Sequence, residues 1–164
     1  MKQKLFLSVF VLAFVFVLTG FGTRTFSYSF GYYDLYTLAK KGDLEMTTAV
    51  YQKAKGKTPE KYTIAGTRST IRIKMSDSFF GADISQSSNT DFSSNAELYK
   101  LTSDATNRYY SPASSTKISF TTKTGGTQVR IIISSTLQSG EYAFVDKTSV
   151  TSTGNVTVWT FGID

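Results

Sequence analysis

An antiparallel all-β fold is what this sequence predicts, specifically an immunoglobulin-like β-sandwich preceded by an N-terminal signal helix, and three observations lead there. The composition is rich in aromatic and hydroxyl side chains, with 13 Phe and 10 Tyr against only 2 Pro, a bias that suits pleated, half-buried surfaces. Short runs of alternating apolar and polar residues recur through the second half of the chain, separated by turn residues. The stretch Leu137-Gln138-Ser139-Gly140-Glu141-Tyr142-Ala143-Phe144-Val145 fits a tyrosine corner, in which a Tyr near the start of a penultimate strand returns its hydroxyl to upstream backbone. In that reading Gly140 lets the chain turn, Leu137 plugs the base of the core and Tyr142 supplies the corner.

Taken from the N-terminus, Lys2 and Lys4 precede an uncharged apolar run, Leu5 to Leu18. A basic start followed by an apolar core shorter than the ~20 residues needed to cross a bilayer predicts a signal peptide. Small residues at Gly20 and Gly22 place its end at residue 22, with Ser27 and Ser29 offering a second cut as late as residue 29. An uncleaved signal-anchor helix is the alternative. Removal of residues 1–22 from the 164 leaves 142, enough for one domain with its own core.

Residues 23–56 read as an N-terminal extension, a β-hairpin packing on the sandwich, with strands either side of a Gly42-Asp43 turn. A helix over residues 43–55, capped by Asp43 and ended by Gly56, competes with the second strand, although Thr47, Thr48, Val50 and Tyr51 favour extended backbone. The polar stretch Lys53 to Pro59 marks the boundary, and residues 57–164 form the sandwich. There, Tyr62 to Ile64, Ser69 to Met75 and Glu97 to Leu101 alternate as strands do. Phe79-Phe80 starts another strand. Ser85 to Asn95 is a polar loop. Lys117 to Lys123 and Val129 to Ser134 flank Gly125-Gly126, a hairpin signal because glycine reaches positive φ. Glu141 to Val145 and Val156 to Ile163 supply the last two strands.

The ending carries a resemblance. Gly140 to Val145 (GEYAFV) and the closing Phe161-Gly162-Ile163-Asp164 resemble the ending of uncharacterised secreted bacterial β-sandwich modules, with Ser139 where those modules often have Pro. Tyr62 to Ile64, Gly66, Ser69, Arg72 and Glu97 to Leu101 are similar as well, so the likeness spans Lys53 to the C-terminus. It implies a secreted sandwich domain and brings no site residues with it.

The inventory of reactive groups removes most chemistry. The chain has no Cys and no His, so thiol nucleophiles, disulfides, imidazole acid-base catalysis and thiolate or imidazole metal sites are absent. Carboxylate pairs are what is left for catalysis, with Asp77, Asp83, Asp91 and Glu97 near loops, and nothing in their spacing separates them from solvated acids. The segment from Asp83 to Asp91, with Asn89, offers oxygen ligands for Ca²⁺ but lacks the spacing of a calcium loop. The net charge of +6 draws attention to Lys57, Lys61, Arg72 and Lys74 as a patch for an anionic ligand. Lysines that guard a strand edge against aggregation explain the same residues. Trp159, among Val156, Val158 and Ile163, reads as core.

The resulting expectation is an exported, non-catalytic module without a cofactor, with a structural or interaction role in the cell envelope or extracellular space, whether periplasmic, cell-surface or secreted. Its partners would be an envelope protein or glycan, not nucleic acid, and a membrane only if the signal segment is retained. Two alternatives carry different signatures. A glycan-binding module needs Tyr or Trp accessible in a row, and a carboxylate enzyme needs two acids in a pocket. The positions of Tyr99, Tyr109, Tyr110 and Trp159 discriminate between them.

Overall fold

The structure is a computed structural model, and it describes residues 28–85, 92–113 and 116–164. Thirteen strands and one short helix follow in the order β1 (Ser29–Asp34), β2 (Lys40–Asp43), β3 (Glu45–Gln52), β4 (Lys61–Ala65), β5 (Arg72–Ile73), β6 (Ser78–Asp83), α1 (Phe92–Asn95), β7 (Ala96–Ser103), β8 (Asn107–Tyr110), β9 (Lys117–Ile118), β10 (Phe120–Gly125), β11 (Gln128–Ile133), β12 (Gly140–Asp146) and β13 (Val156–Ile163). Every pairing is antiparallel except that of β5 with β13. All-β architecture is therefore observed.

The arrangement differs from two open sheets face to face. Strands β12, β13, β3, β4, β8 and β7 pair in that order, and β7 pairs with β12 again, so the second sheet closes into a six-stranded barrel. Closure gives each of those six strands a paired neighbour on both sides, with short β5 and β9 added alongside β13 and β7. The first sheet, in the order β10-β11-β6-β1-β2, lies over one wall of the barrel.

That geometry explains why β12 and β13 are apolar almost throughout. A strand buried on both faces has no solvent side to alternate with. From β12, Tyr142 and Phe144 face the five-stranded sheet, while Ala143 and Val145 face the barrel interior. From β13, Trp159 and Phe161 point to the sheet and Val156 and Val158 point inward. Two cores result. The larger is aromatic, built around Phe30, Phe80, Phe144 and Phe161, with Phe144 stacked on Phe30 at 4.7 Å between ring centroids. The smaller fills the barrel with Ala49, Ile64, Leu101, Ala143 and Val158.

The N-terminal segment corrects the expected layout. Residues 28–56 are not a hairpin laid on a finished sandwich. β1 pairs with β2 and β6 in the sheet, whereas β3 pairs with β13 and β4 in the barrel wall. The reason lies in β13, whose second edge would be open without β3. Residues 45–52 are a strand, and the competing helix does not form. The expected turn at Gly42-Asp43 moves to residues 35–38, because the Asp34 carboxylate accepts the backbone N–H groups of Tyr36 and Thr37 and ends β1 there. Gly42 sits inside β2 instead, where the Tyr32 ring leaves a Cβ only 3.0 Å of room. Buried Leu44 then carries the chain from one sheet to the other, its N–H donating to the Phe30 carbonyl at 2.9 Å.

Two smaller differences follow from local chemistry. The run Ser69 to Met75 is strand only at β5, since Ser69 and Thr70 leave the ladder to donate to carboxylates. Strand β8, unmarked in the sequence, follows an Asx turn in which Asp104 accepts from Thr106 and Asn107. Leu38 is the one non-glycine residue with positive φ (61°) among the described residues, and its side chain stays exposed.

Candidate binding site at the barrel mouth

The two ends of the barrel are built from opposite chemistry. At the end where β12 starts and β13 finishes, the interior is closed by paired charges. Arg108, buried on β8, donates to Glu141 at 3.3 Å and to the carbonyls of Gly66 and Ala65. Glu141 also accepts the Ser69 N–H at 2.7 Å and a bond from Arg72, whose guanidinium occupies the space where a Cβ on Gly162 would stand and continues to Asp164. Glu45 completes this plug, accepting from the hydroxyls of Ser69 and Thr160 and from the Thr70 N–H. Burial pushes the Glu45 carboxyl up, but these three donors outweigh it and hold it below the ordinary range.

The opposite end is open. There a recess of about 450 Å³ enters the barrel between β4, β7, β8 and the segment after β12. Its wall is a file of tyrosines. Tyr62 stacks on Tyr110 (5.0 Å, 7° between planes), Tyr110 on Tyr99 (4.5 Å, 25°), and Tyr51 leans on Tyr62 at 5.3 Å. Antiparallel pairing of β3 with β4 and of β4 with β8 brings Tyr51, Tyr62 and Tyr110 into line, because Tyr51 lies opposite Tyr62 and Tyr62 opposite Tyr110. Val145, Val156 and half-exposed Val150 form an apolar strip across from them.

Charges at the rim are paired. Glu97 accepts from Lys117 at 2.8 Å and from the Tyr99 hydroxyl at 2.7 Å, with Lys147 at 3.3 Å. Burial raises the Glu97 carboxyl, and the bonds from Lys117 and Tyr99 with the charge of Lys147 overcome it, so it is held below the usual range. Glu60 accepts from the Tyr51 hydroxyl at 2.9 Å. Burial, and for Tyr99 the bond to Glu97, drives the Tyr99 and Tyr110 phenols well above their ordinary value. Tyr62 is raised by burial and then by Glu60.

A pH profile follows from these directions. A carboxylate lowered in the fold contributes stability that is complete above its unfolded value, 4.5 for Glu45 and Glu97, and is lost as pH falls through the folded value. A phenol raised in the fold contributes stability that is complete below its unfolded value of 10.0 and is lost as pH rises beyond it. With no His in the chain, urea unfolding is expected to give a flat free energy between about pH 6 and 9, falling on both sides. A step near pH 6.5 would contradict this account.

The sequence-predicted residues are dispersed. Lys57 is exposed in the β3–β4 connection and Lys61 opens β4 with its ammonium 4.9 Å from the Tyr109 ring centroid, both at the mouth end. Arg72 belongs to the plug, and exposed Lys74 follows β5. The four do not form one surface. Of the acids, Asp77 is paired with Lys41 at 3.3 Å, Asp83 accepts the Ser85 N–H, and Glu97 lines the recess at the mouth. Asp91 and residues 86–90 of the calcium candidate lie outside the described residues, among which no cluster of three or more acids suits a metal ion. Leu137 and Tyr142 are buried, Gly140 takes φ 150°, and the Tyr142 hydroxyl donates to the Gln138 carbonyl at 2.5 Å. Trp159, Tyr99 and Tyr110 are inside, while Tyr109 is half-buried on the outer wall.

Tyr51, Glu60, Lys147 and Val150 were not singled out by sequence reasoning. The readable signal was the tyrosine at alternate positions of runs that pair, but pairing partners are not written in a single strand. Comparison of the chain with protein-family models, with curated proteins and with solved structures finds no match.

Proposed function

We propose that this chain is an exported, non-catalytic β-module with a structural or interaction role in the cell envelope or outside the cell. The observation that carries the non-catalytic reading is that the buried and recessed acids are already engaged: Glu141 by Arg108, Arg72 and the Ser69 N–H, Glu45 by Ser69, Thr70 and Thr160, and Glu97 by Lys117, Lys147 and Tyr99. Each described carboxylate with a displaced ionisation, namely Asp34, Glu45, Asp77, Asp83, Glu97, Asp104 and Asp164, is displaced toward the charged form. A carboxylate-based hydrolase needs the opposite, one acid kept protonated near neutrality beside another that is ionised.

Export rests on the basic start and the apolar run from Leu5 to Leu18. Of the two cut sites, the one after Ser29 would remove Tyr28, which is 2% exposed and meets Phe92 edge-on at 5.0 Å. Cleavage after Gly22 leaves that contact whole. Intact mass of the exported protein is expected to correspond to a chain beginning at Thr23. A mass retaining Met1 to Leu18 would make it a membrane-anchored protein instead.

The immunoglobulin-like reading is carried by the Tyr142 corner and the apolar layering of β12 and β13 against the five-stranded sheet. A glycan is preferred to an envelope protein as partner because the recess at the barrel mouth is concave and narrow, which suits a small ring better than a flat protein surface.

A further inference from the structure

We infer that the recess at the barrel mouth is a binding site for a neutral sugar residue of a glycan chain, held by the hydroxyl edges of Tyr62, Tyr99 and Tyr110, the Glu97–Lys147 pair and the apolar strip at Val150. The inference rests on the non-catalytic interaction reading above and names its ligand. Size is the first argument. At about 450 Å³ the recess falls within the ~300–1,000 Å³ of small-molecule sites, and the mouth of a barrel is a usual place for one.

The geometry of the tyrosines decides what kind of molecule fits. Tyr110 stacks on both Tyr62 and Tyr99, and Tyr62 also leans on Tyr51, so the faces of Tyr110 and Tyr62 are taken by neighbouring rings. What remains toward the recess is edge and hydroxyl. A flat aromatic ligand such as a nucleobase, which needs an open ring face to stack on, is poorly served. Among the described residues the Tyr99 hydroxyl bonds to Glu97, while the hydroxyls of Tyr62 and Tyr110 make no hydrogen bond. Neither phenol oxygen is a buried unpartnered atom, so both are open to bond a ligand carrying donors and acceptors.

Charge narrows the choice further. The residues lining the recess include two acids, Glu60 and Glu97, and two lysines, Lys117 and Lys147, so the lining sums to zero. An anionic ligand would meet Glu97 and Glu60, and a cationic ligand would meet the two ammonium groups. A neutral polyhydroxylated ring meets neither penalty. It accepts from Lys147 and the phenols, donates to Glu97, and lays its C–H face on Val145, Val150 and Val156. The exposed side chain of Val150, 50% accessible at the rim, is the surface such a face would cover.

The test is an NMR titration of the ¹⁵N-labelled exported protein with cellotriose, maltotriose and N,N′,N″-triacetylchitotriose. Trigalacturonate and the unacetylated glucosamine trimer are the charged comparators. At least one neutral trisaccharide is expected to shift amide signals of β4, β7 and β8 with a dissociation constant of about 1 mM, corresponding to ~4 kcal/mol. Tyr62→Phe and Tyr110→Phe keep the stacked rings and remove only hydroxyls, and each is expected to weaken binding about tenfold. Lys147→Met, at an exposed rim position, is the second variant should either phenylalanine variant fold poorly, and it is expected to weaken binding as well. Tighter binding of a charged trimer, shifts confined to other strands, no shift at about 20 mM, or full affinity in all three variants would each overturn the inference. Cleavage of a bound trisaccharide during the titration would overturn the non-catalytic reading while leaving the ligand class intact. Absence of both binding and cleavage would remove the site and leave that reading standing.

Discussion

Glu141→Gln is expected to lower the unfolding free energy by about 3–5 kcal/mol, the range for breaking a buried ion pair by removing one partner. The Glu141 side chain is 9% exposed and the Arg108 side chain 3%. Neutralising the carboxylate leaves the Arg108 guanidinium buried with two carbonyls and only the unbonded charge of Glu45 nearby, and leaves Arg72 with Asp164 alone. The same region supplies its own control. Arg72 is 26% exposed and Asp164 69%, so solvent screens that pair and Asp164→Asn is expected to leave the unfolding midpoint nearly unchanged. Urea denaturation with an unchanged m-value checks both. Equal losses in the two variants would mean that the plug is wetter than the buried geometry requires. Removing both buried partners, as Arg108→Met with Glu141→Gln, is expected to restore part of the loss, because no uncompensated charge then remains at Arg108.

Phe144→Ala is expected to cost about 3–5 kcal/mol, and Phe144→Leu distinctly less. Phe144 is fully buried, and its ring lies against Phe30 at 4.7 Å, Phe80 at 5.4 Å, Phe161 at 5.8 Å and Phe120 at 6.0 Å. Those partners come from β1, β6, β10 and β13, so the truncation opens a cavity at the seam between sheet and barrel. Close-packed neighbours relax into such a gap only in part, which adds a cavity term to the lost transfer free energy. The unfolding midpoint in urea is the measurement. A loss under about 1 kcal/mol would mean that the five-stranded sheet does not pack on the barrel wall in solution.

Both residues show how unevenly the site and the fold were legible. Gly140 to Val145 reads as a strand from its residues alone, and Tyr142 invites a backbone partner because a buried phenol needs one. That Glu141, one residue earlier, would meet two arginines follows only from the pairing of β12 with β7, of β7 with β8 and of β13 with β5. Arg72 illustrates the same limit. Its alternation with Ile71 and Ile73 reads as an exposed basic face, whereas the parallel pairing with β13 folds its guanidinium over Gly162 and onto Glu141.

By itself the sequence determined the β character of this protein, most strand positions, the hairpin at Gly126, the interior place of Trp159 and the absence of imidazole and thiol chemistry. These depend on short-range quantities, namely side-chain type, a two-residue period and the backbone freedom of glycine. Closure of the barrel, the insertion of β1 and β3 into separate sheets, the buried charge plug and the tyrosine file at the mouth were decided by the tertiary structure alone. Each depends on which strand lies beside which. A strand's own residues specify which of its faces is apolar but not the neighbour that covers it, and β12 and β13, apolar on both faces, accept a partner on either side with equal ease.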